Sequence, residues 1–377
     1  MAEIEMLRKY RRDLHKIPEL GFDLPETFAY IQEVLKGLGD ACTLEYPTTS
    51  SICAFFAAAG ATTTIALRTD MDALPITEKT GVDFASTHPG TMHACGHDAH
   101  MAMALTTCWW MAEHRDELAQ NVLVVFQPAE ELAGGAKPLC DSGIFQKYNV
   151  TCIFGFHVWP TLPAKTIYSK PGPILASSTE VDVTFKGKNA HIGKYWEGRD
   201  TLQSAARFIG RTYDQIEEEA FDDNVLCRFG CMQSGTVRNV IADHAEIHGS
   251  IRAFTMDDRD HVFQILENCA NEIAQKCQCN ACVSKNNSAP PVTNNEDLFE
   301  ELKTVIDDMK TLEAPEYIAE DFAWYQHYIP GVFMLLGTGS DTVLHTDNFI
   351  FDEDLLTIGV DAYKCIVAHK WGIGFTH

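Results

Sequence analysis

Two textures of apolar and polar positions alternate along the chain. Ile4, Leu7, Tyr10, Leu14 and Ile17 recur every three or four residues, which predicts a helix with one face on a core, interrupted at Pro18. Short unbroken apolar runs follow at Thr64 to Leu67, Val122 to Phe126, Cys152 to Phe156 and Val332 to Leu336. Runs of this length without alternation read as strands covered on both faces. Between them Ala99 to His114 and Gly134 to Phe145 read as helical or helix-plus-loop crossovers, so this part is α/β, with ligands expected beyond the strands' carboxyl ends.

From Thr179 the period changes. Val181, Val183 and Phe185 alternate with Asp182, Thr184 and Lys186, as in a half-exposed antiparallel strand. Helical stretches at Thr201 to Ala220 and Asp260 to Ala274, with further alternation at His244 to Ala253, complete a strand-helix-strand-strand-helix-strand order. The Asn-, Ser- and Pro-rich stretch 286–295 reads as the linker back. The expected organisation is a first domain of residues 1–177 plus 289–377, with an inserted domain at 178–288.

Composition narrows the functional classes. The chain has 377 residues, 46% hydrophobic and 22% charged, enough for a core in each domain. The balance of 29 basic against 53 acidic residues, a formal charge of −24, disfavours nucleic acid and anionic membrane as partners. Thirteen scattered cysteines without a compact framework predict reduced thiols, and hence a cytoplasmic protein. Neither an apolar leader nor an apolar stretch of the ~20 residues that span a bilayer is expected here.

Candidate chemistry gathers after the apolar runs. Asp70 and Asp72 follow the first, where a carboxylate binds metal, orients a ligand or simply caps a turn before Pro75. The run 92–100 (MHACGHDAH) packs three His, one Cys and one Asp into nine residues; Gly96 lets Cys95 and His97 approach, and metal binding is the better reading than a buried thiol with capping histidines. Glu130 and Glu131 follow the second run directly. Such a pair divides labour, one carboxylate holding metal while the other accepts the proton of an activated water and passes it to a leaving amine. His157 and His345 are weak signals singly and gain weight from the set.

Taken together these stretches resemble the amidohydrolase branch of the co-catalytic dinuclear metallopeptidases, the family of aminoacylases, hippurate hydrolases and N-acetyl-diaminopimelate deacetylases. The resemblance runs through 14–21 (LHKIPELG), Arg68 to Pro75, Met92 to His100, Gln127 to Glu131, Gly155 to His157, Gly235 to Ile241, Glu320 to Phe322 and Leu344-His345. It implies a zinc-exopeptidase-like three-layer catalytic domain with an inserted ferredoxin-like α+β lid and dimerisation domain. It further implies Cys95, His97, Glu131, His157 and His345 as ligands of two divalent ions, one ligand bridging, with Glu130 as general base and Asp70 orienting the site. Zn or Mn lead for such a mixed set, with Ni or Co compatible.

In the inserted segment the resemblance implies that His191 helps bind the scissile carbonyl or oxyanion, in some relatives from a partner subunit, so a homodimer is expected. Asn239 and Arg252 match polar residues that contact a substrate carboxylate. The chain departs from the family after His191: Tyr195 and Trp196 stand where a Pro and a second His are usual. The pair puts inherited specificity in question, and Trp196 is a candidate substrate contact. Cys277, Cys279 and Cys282 have zinc-like spacing but read as buried thiols at a helix end. The expected activity is metal-dependent hydrolysis of the amide of a small N-acyl amino acid. A dipeptidase or aminopeptidase of the same architecture, and a metal- or ligand-binding protein without catalysis, are the alternatives.

Overall fold

The computed structural model describes residues 2–221 and 224–372. It divides into two compact units, Met1–Ile174 with Thr293–Ala314 and Asp321–His377, and Leu175–Val292 with Pro315–Glu320.

The first unit is built on an eight-stranded mixed sheet. Its centre is the parallel set Asn121–Gln127, Thr64–Asp70, Val150–Trp159 and Gly331–Gly337, in that spatial order. Each of these strands corresponds to one of the unbroken apolar runs, and nearly every residue in them is buried. Alternate positions feed two cores, because side chains alternate across a sheet. Cys152, Phe154 and Phe156 join Val332, Met334 and Leu336 in the core under helices Glu3–His15, His97–Glu113 and Leu356–Ala368. On the other face Phe333 meets Phe322, whose neighbour Tyr325 packs on Phe145. Three layers result.

The helix His97–Glu113 is buried around its first three turns. It therefore lacks the amphipathic stripe of the surface helix Glu3–His15, where Leu7, Tyr10 and Leu14 face inward as their spacing predicts. The stretch 134–145 carries two short helices, Ala136–Asp141 and Ile144–Lys147, with a turn between them. Gly143, at φ +80°, separates them.

The strands connect so that Val150–Trp159 lies across Thr64–Asp70 from Asn121–Gln127. Successive strands are added to opposite sides of the central strand there, and the carboxyl ends of all four parallel strands open on one edge.

In the second unit Ser178–Lys186, Val225–Ser234, His244–Ala253 and Asn280–Ala289 form an antiparallel sheet. Its order, second-third-first-fourth, is the ferredoxin-like arrangement of a βαββαβ chain. Helices Thr201–Glu219 and Met256–Cys277 cover one face, capped by the side chains of Asp200 and Thr255. Val181, Val183, Phe185, Phe208, Ile247, Ile251 and Leu266 lie in the core between them.

Two local expectations are corrected. The stretch 286–295 is not an open linker, since the strand Asn280–Ala289 runs through its first part and pairs Ala289 with Ser178 after a bulge. Cys277 and Cys279 are half-buried and Cys282 is exposed, rather than all three being buried, because Asn280–Ala289 is an edge strand with an open outer face. Among the described residues these three cysteines join no group able to hold a metal.

Candidate metal centre

Four chain segments bring their donors to the carboxyl edge of the parallel sheet. Gly96 stands before the helix His97–Glu113 at φ +85°, and a Cβ there would lie 2.5 Å from Val158 Cγ2. Only glycine allows the chain to turn this tightly between Cys95 and His97. His345 sits at φ +62° with its N–H donating to Ala94 O at 2.9 Å, which ties a distant loop to the Cys95 segment. His157 lies two residues inside the end of its strand, which continues to Trp159 rather than stopping at Phe156.

The turn carrying Glu130 and Glu131 is shaped by a neighbour. Asp72 accepts from the Glu130 N–H at 2.9 Å and the Glu131 N–H at 3.2 Å, one bond to each carboxylate oxygen. Ala129 takes φ +56°, and a Cβ on Gly135 would fall 1.7 Å from Pro128 O. The adjacent glutamates therefore leave the strand in a bent, held conformation rather than on a solvated face.

The donors form two triplets that share one atom. Cys95, His97 and His157 make one group, Cys95, Glu131 and His345 the other, the ligating atoms within each group all lying within 4.8 Å of one another. Cys95 Sγ is 3.3 Å from His157 Nε2 and 3.3 Å from His345 Nε2. His97 Nδ1 donates to Asp72 O at 2.7 Å and His157 Nδ1 to Val158 O at 2.7 Å. Each ring is thereby fixed as the tautomer whose Nε2 lone pair points inward. His97 Nε2 is buried and has no hydrogen-bond partner among the described residues.

The electrostatics of these donors suit cations. Burial lowers the His97 pKa to about 4 and pushes that of His157 well down, so both rings are neutral, the form that ligates metal. Burial, then the charges of Glu131 and Glu130, hold the Cys95 thiol well above its usual range. A thiol so disfavoured as thiolate, beside two imidazoles and two carboxylates, fits a pair of divalent cations that would reverse the balance.

The carboxylate expected to orient the site, Asp70, is fully buried and bonds Arg68 Nη1 at 2.7 Å and His100 Nδ1 at 2.7 Å. Burial works against its ionisation, and His97, His100 and Arg68 outweigh burial to lower its pKa. Arg68 also donates to Gln127 Oε1 at 2.9 Å and to Asp321 Oδ1 at 2.9 Å, a charged network under the site. Glu130 Oε2 and Glu131 Oε1 each lie 3.9 Å from His97 Nε2. The sequence left Asp72 open between metal ligand, orienting group and turn cap, and gave His100 no role beyond membership of the histidine-rich run.

The second unit brings three of its candidates together and holds the fourth apart. His191 pairs with Val240, and Asn239 O accepts from the Ile192 N–H at 3.0 Å. Tyr195 and Trp196 lie on the adjoining 3-10 segment Ile192–Glu197, exposed by 66% and 64%, ring edge to ring face at 5.5 Å. Arg252 belongs instead to the four-stranded sheet, paired with Leu226 and eight residues along the strand from His244, whereas His191 and Val240 form a separate two-stranded pairing.

The chain is similar to known proteins. The sequence model of "Peptidase family M20/M25/M40" matches residues 66–369. An N-acetyldiaminopimelate deacetylase of Lacticaseibacillus casei is 35% identical, covering 98% of this chain and 99% of its own. One of Streptococcus gordonii is 35% identical over 96% and 98%. The crystal structure of the Bacillus subtilis YxeP protein, a dinuclear metal-binding peptidase of the M20 family, is 32% identical, with a TM-score of 0.86 over 97% of this chain and 98% of that one.

Proposed function

The chain belongs to peptidase family M20/M25/M40, and from that premise we propose that it is a metal-dependent amidohydrolase that cleaves the amide of an N-acylated amino acid. The observation that carries the proposal is the sharing of Cys95 between two donor triplets beside Glu130. Cys95, His97 and His157 would hold one divalent cation, and Glu131 and His345, with the same sulfur in reach, would hold a second. Zn or Mn suit this donor mixture, with Ni or Co compatible.

Two such cations, when bound, draw charge from the scissile carbonyl and lower the pKa of water. The chain's own residues supply the rest. Glu130 stands beside Glu131 in the turn held by Asp72, so its carboxylate is aimed independently of its ligating neighbour. It takes a proton from the attacking water as the carbon–oxygen bond forms, and delivers it to nitrogen as the carbon–nitrogen bond breaks. The products are a free acid and a free amino acid. His191 donates to the developing oxyanion, and Asn239 and Arg252 take the substrate's carboxylate. Trp196, with Tyr195, offers an apolar wall to the acyl group.

The separation of Arg252 from His191 and Asn239 supports a homodimer. Arg252 stands on the four-stranded sheet and His191 with Asn239 on a separate two-stranded pairing, and in a homodimer the two contacts would come from different copies, as the resemblance implies for His191. All thirteen cysteines are free, which favours a reducing, cytoplasmic setting. Among the described residues no helix is long and apolar enough to cross a membrane.

Purified protein stripped of metal and reloaded with Zn or Mn tests the proposal against a panel of N-acyl amino acids that includes N-acetyldiaminopimelate. Release of free amino acid only after reloading supports it; no release with either metal removes it.

A further inference from the structure

We infer that His100 is a positioning residue that aims His157 by holding the backbone of Val158. The inference rests on the metal-centre reading above and concerns a residue to which that reading gives no task. His100 is 2% exposed, and its Nε2 accepts from the Val158 N–H at 2.9 Å. A backbone N–H can only donate, so Nε2 carries the lone pair and Nδ1 the proton, which goes to Asp70 Oδ1 at 2.7 Å. Both nitrogens are thereby committed. Although His100 lies in a donor group with Asp70 and His97, it has no lone pair left for a cation.

Its position answers a gap in the sheet. The strand Val150–Trp159 pairs with Gly331–Gly337 through Trp159, but on its other side the last pairing with Thr64–Asp70 is Gly155 with Arg68. Beyond that point Val158 N–H has lost its strand partner, and His100 supplies the acceptor. The same residue's carbonyl takes the Nδ1 proton of His157 at 2.7 Å, leaving His157 Nε2 facing Cys95 Sγ at 3.3 Å. The two imidazoles meet edge to face with centroids 4.7 Å apart. The order of control therefore runs from Arg68 to Asp70, His100, Val158 and His157. Asp70 orients the ligand set through His100 as well as by its own charge.

The test reads metal binding rather than turnover. Metal-free wild type, His100→Gln and His100→Leu are titrated with Zn against a chromophoric chelator, and folding is checked by thermal melting. The glutamine amide can accept from Val158 and donate to Asp70 at once; leucine can do neither. The expected result is two tight equivalents in wild type and His100→Gln, and a loss of about 10- to 100-fold at one equivalent only in His100→Leu. Should His100→Leu fail to fold, His100→Asn, whose shorter amide reaches one partner at a time, takes its place with the same expectation. Two unweakened equivalents in the folded Leu or Asn variant overturn the inference, as does a His100→Gln protein as weakened as those. Acyl-amino-acid hydrolysis by the wild type reads the proposed activity separately, so failure of either idea is recognised apart from the other.

Discussion

His345 Nε2 lies 3.3 Å from Cys95 Sγ, although 250 residues separate them in the chain. His157 approaches the same sulfur at the same distance from a third segment, so one thiol is the meeting point of both donor triplets. Replacing Cys95 by Ala is accordingly expected to cost both cations, whereas His157→Ala weakens one. Metal content after gel filtration, by elemental analysis, distinguishes the two; a Cys95→Ala protein that retains two equivalents contradicts the shared-sulfur reading.

Glu130 is the residue whose loss should separate binding from chemistry. Glu130→Gln keeps the size and the backbone N–H that bonds Asp72 but cannot take a proton. Metal content is expected to stay at two equivalents while kcat falls by roughly 10²- to 10⁴-fold, the usual contribution of a positioned base. Wild-type turnover in this variant would falsify the assignment.

Asp72 holds the glutamate turn through its two backbone bonds. In Asp72→Asn one of the two accepting oxygens becomes an NH₂ facing a backbone N–H, which costs on the order of 1–3 kcal/mol for a buried donor left unpaired. A lower melting temperature together with reduced kcat is expected; an unchanged melt with unchanged kcat removes Asp72 as the grip on the turn.

His15 links stability to alkaline pH. Burial lowers its pKa, but Asp98, bonded at 2.8 Å, and Glu78, at 3.1 Å, more than compensate and raise it to about 9 from an ordinary 6.5. A folded pKa above the unfolded one contributes stability that is complete below pH 6.5 and lost as pH rises through 9. The contribution is on the order of 3 kcal/mol. Metal-free protein should melt progressively lower between pH 7 and 10, and His15→Gln should flatten that slope; equal slopes in the two proteins remove His15 as the cause.

Trp196 bears on the acyl group. Its exposure beside Tyr195, on the segment that follows His191, predicts that Trp196→Ala raises KM more for N-benzoyl than for N-acetyl substrates. Equal changes for both would assign the ring to another contact, a second copy of the chain being the first to examine by sedimentation.

The sequence by itself determined the kinds of chemistry and the strands that present them. Unbroken apolar runs such as Val122 to Phe126 could only be buried strands, and donors written just after them had to emerge at a sheet edge, because chain order and strand direction are local properties. Period-two alternation from Val181 to Phe185 likewise identified the antiparallel sheet of the second unit. Tertiary structure alone decided which donors converge and which are already spent. That Cys95 is common to both triplets, that His100 has given its lone pair to Val158, and that Asp72 rather than Asp70 grips the glutamate turn all depend on groups 58 or more residues apart. Side-chain direction and tautomer are set by such partners, brought near only when the sheet is assembled, and no spacing in the chain encodes them.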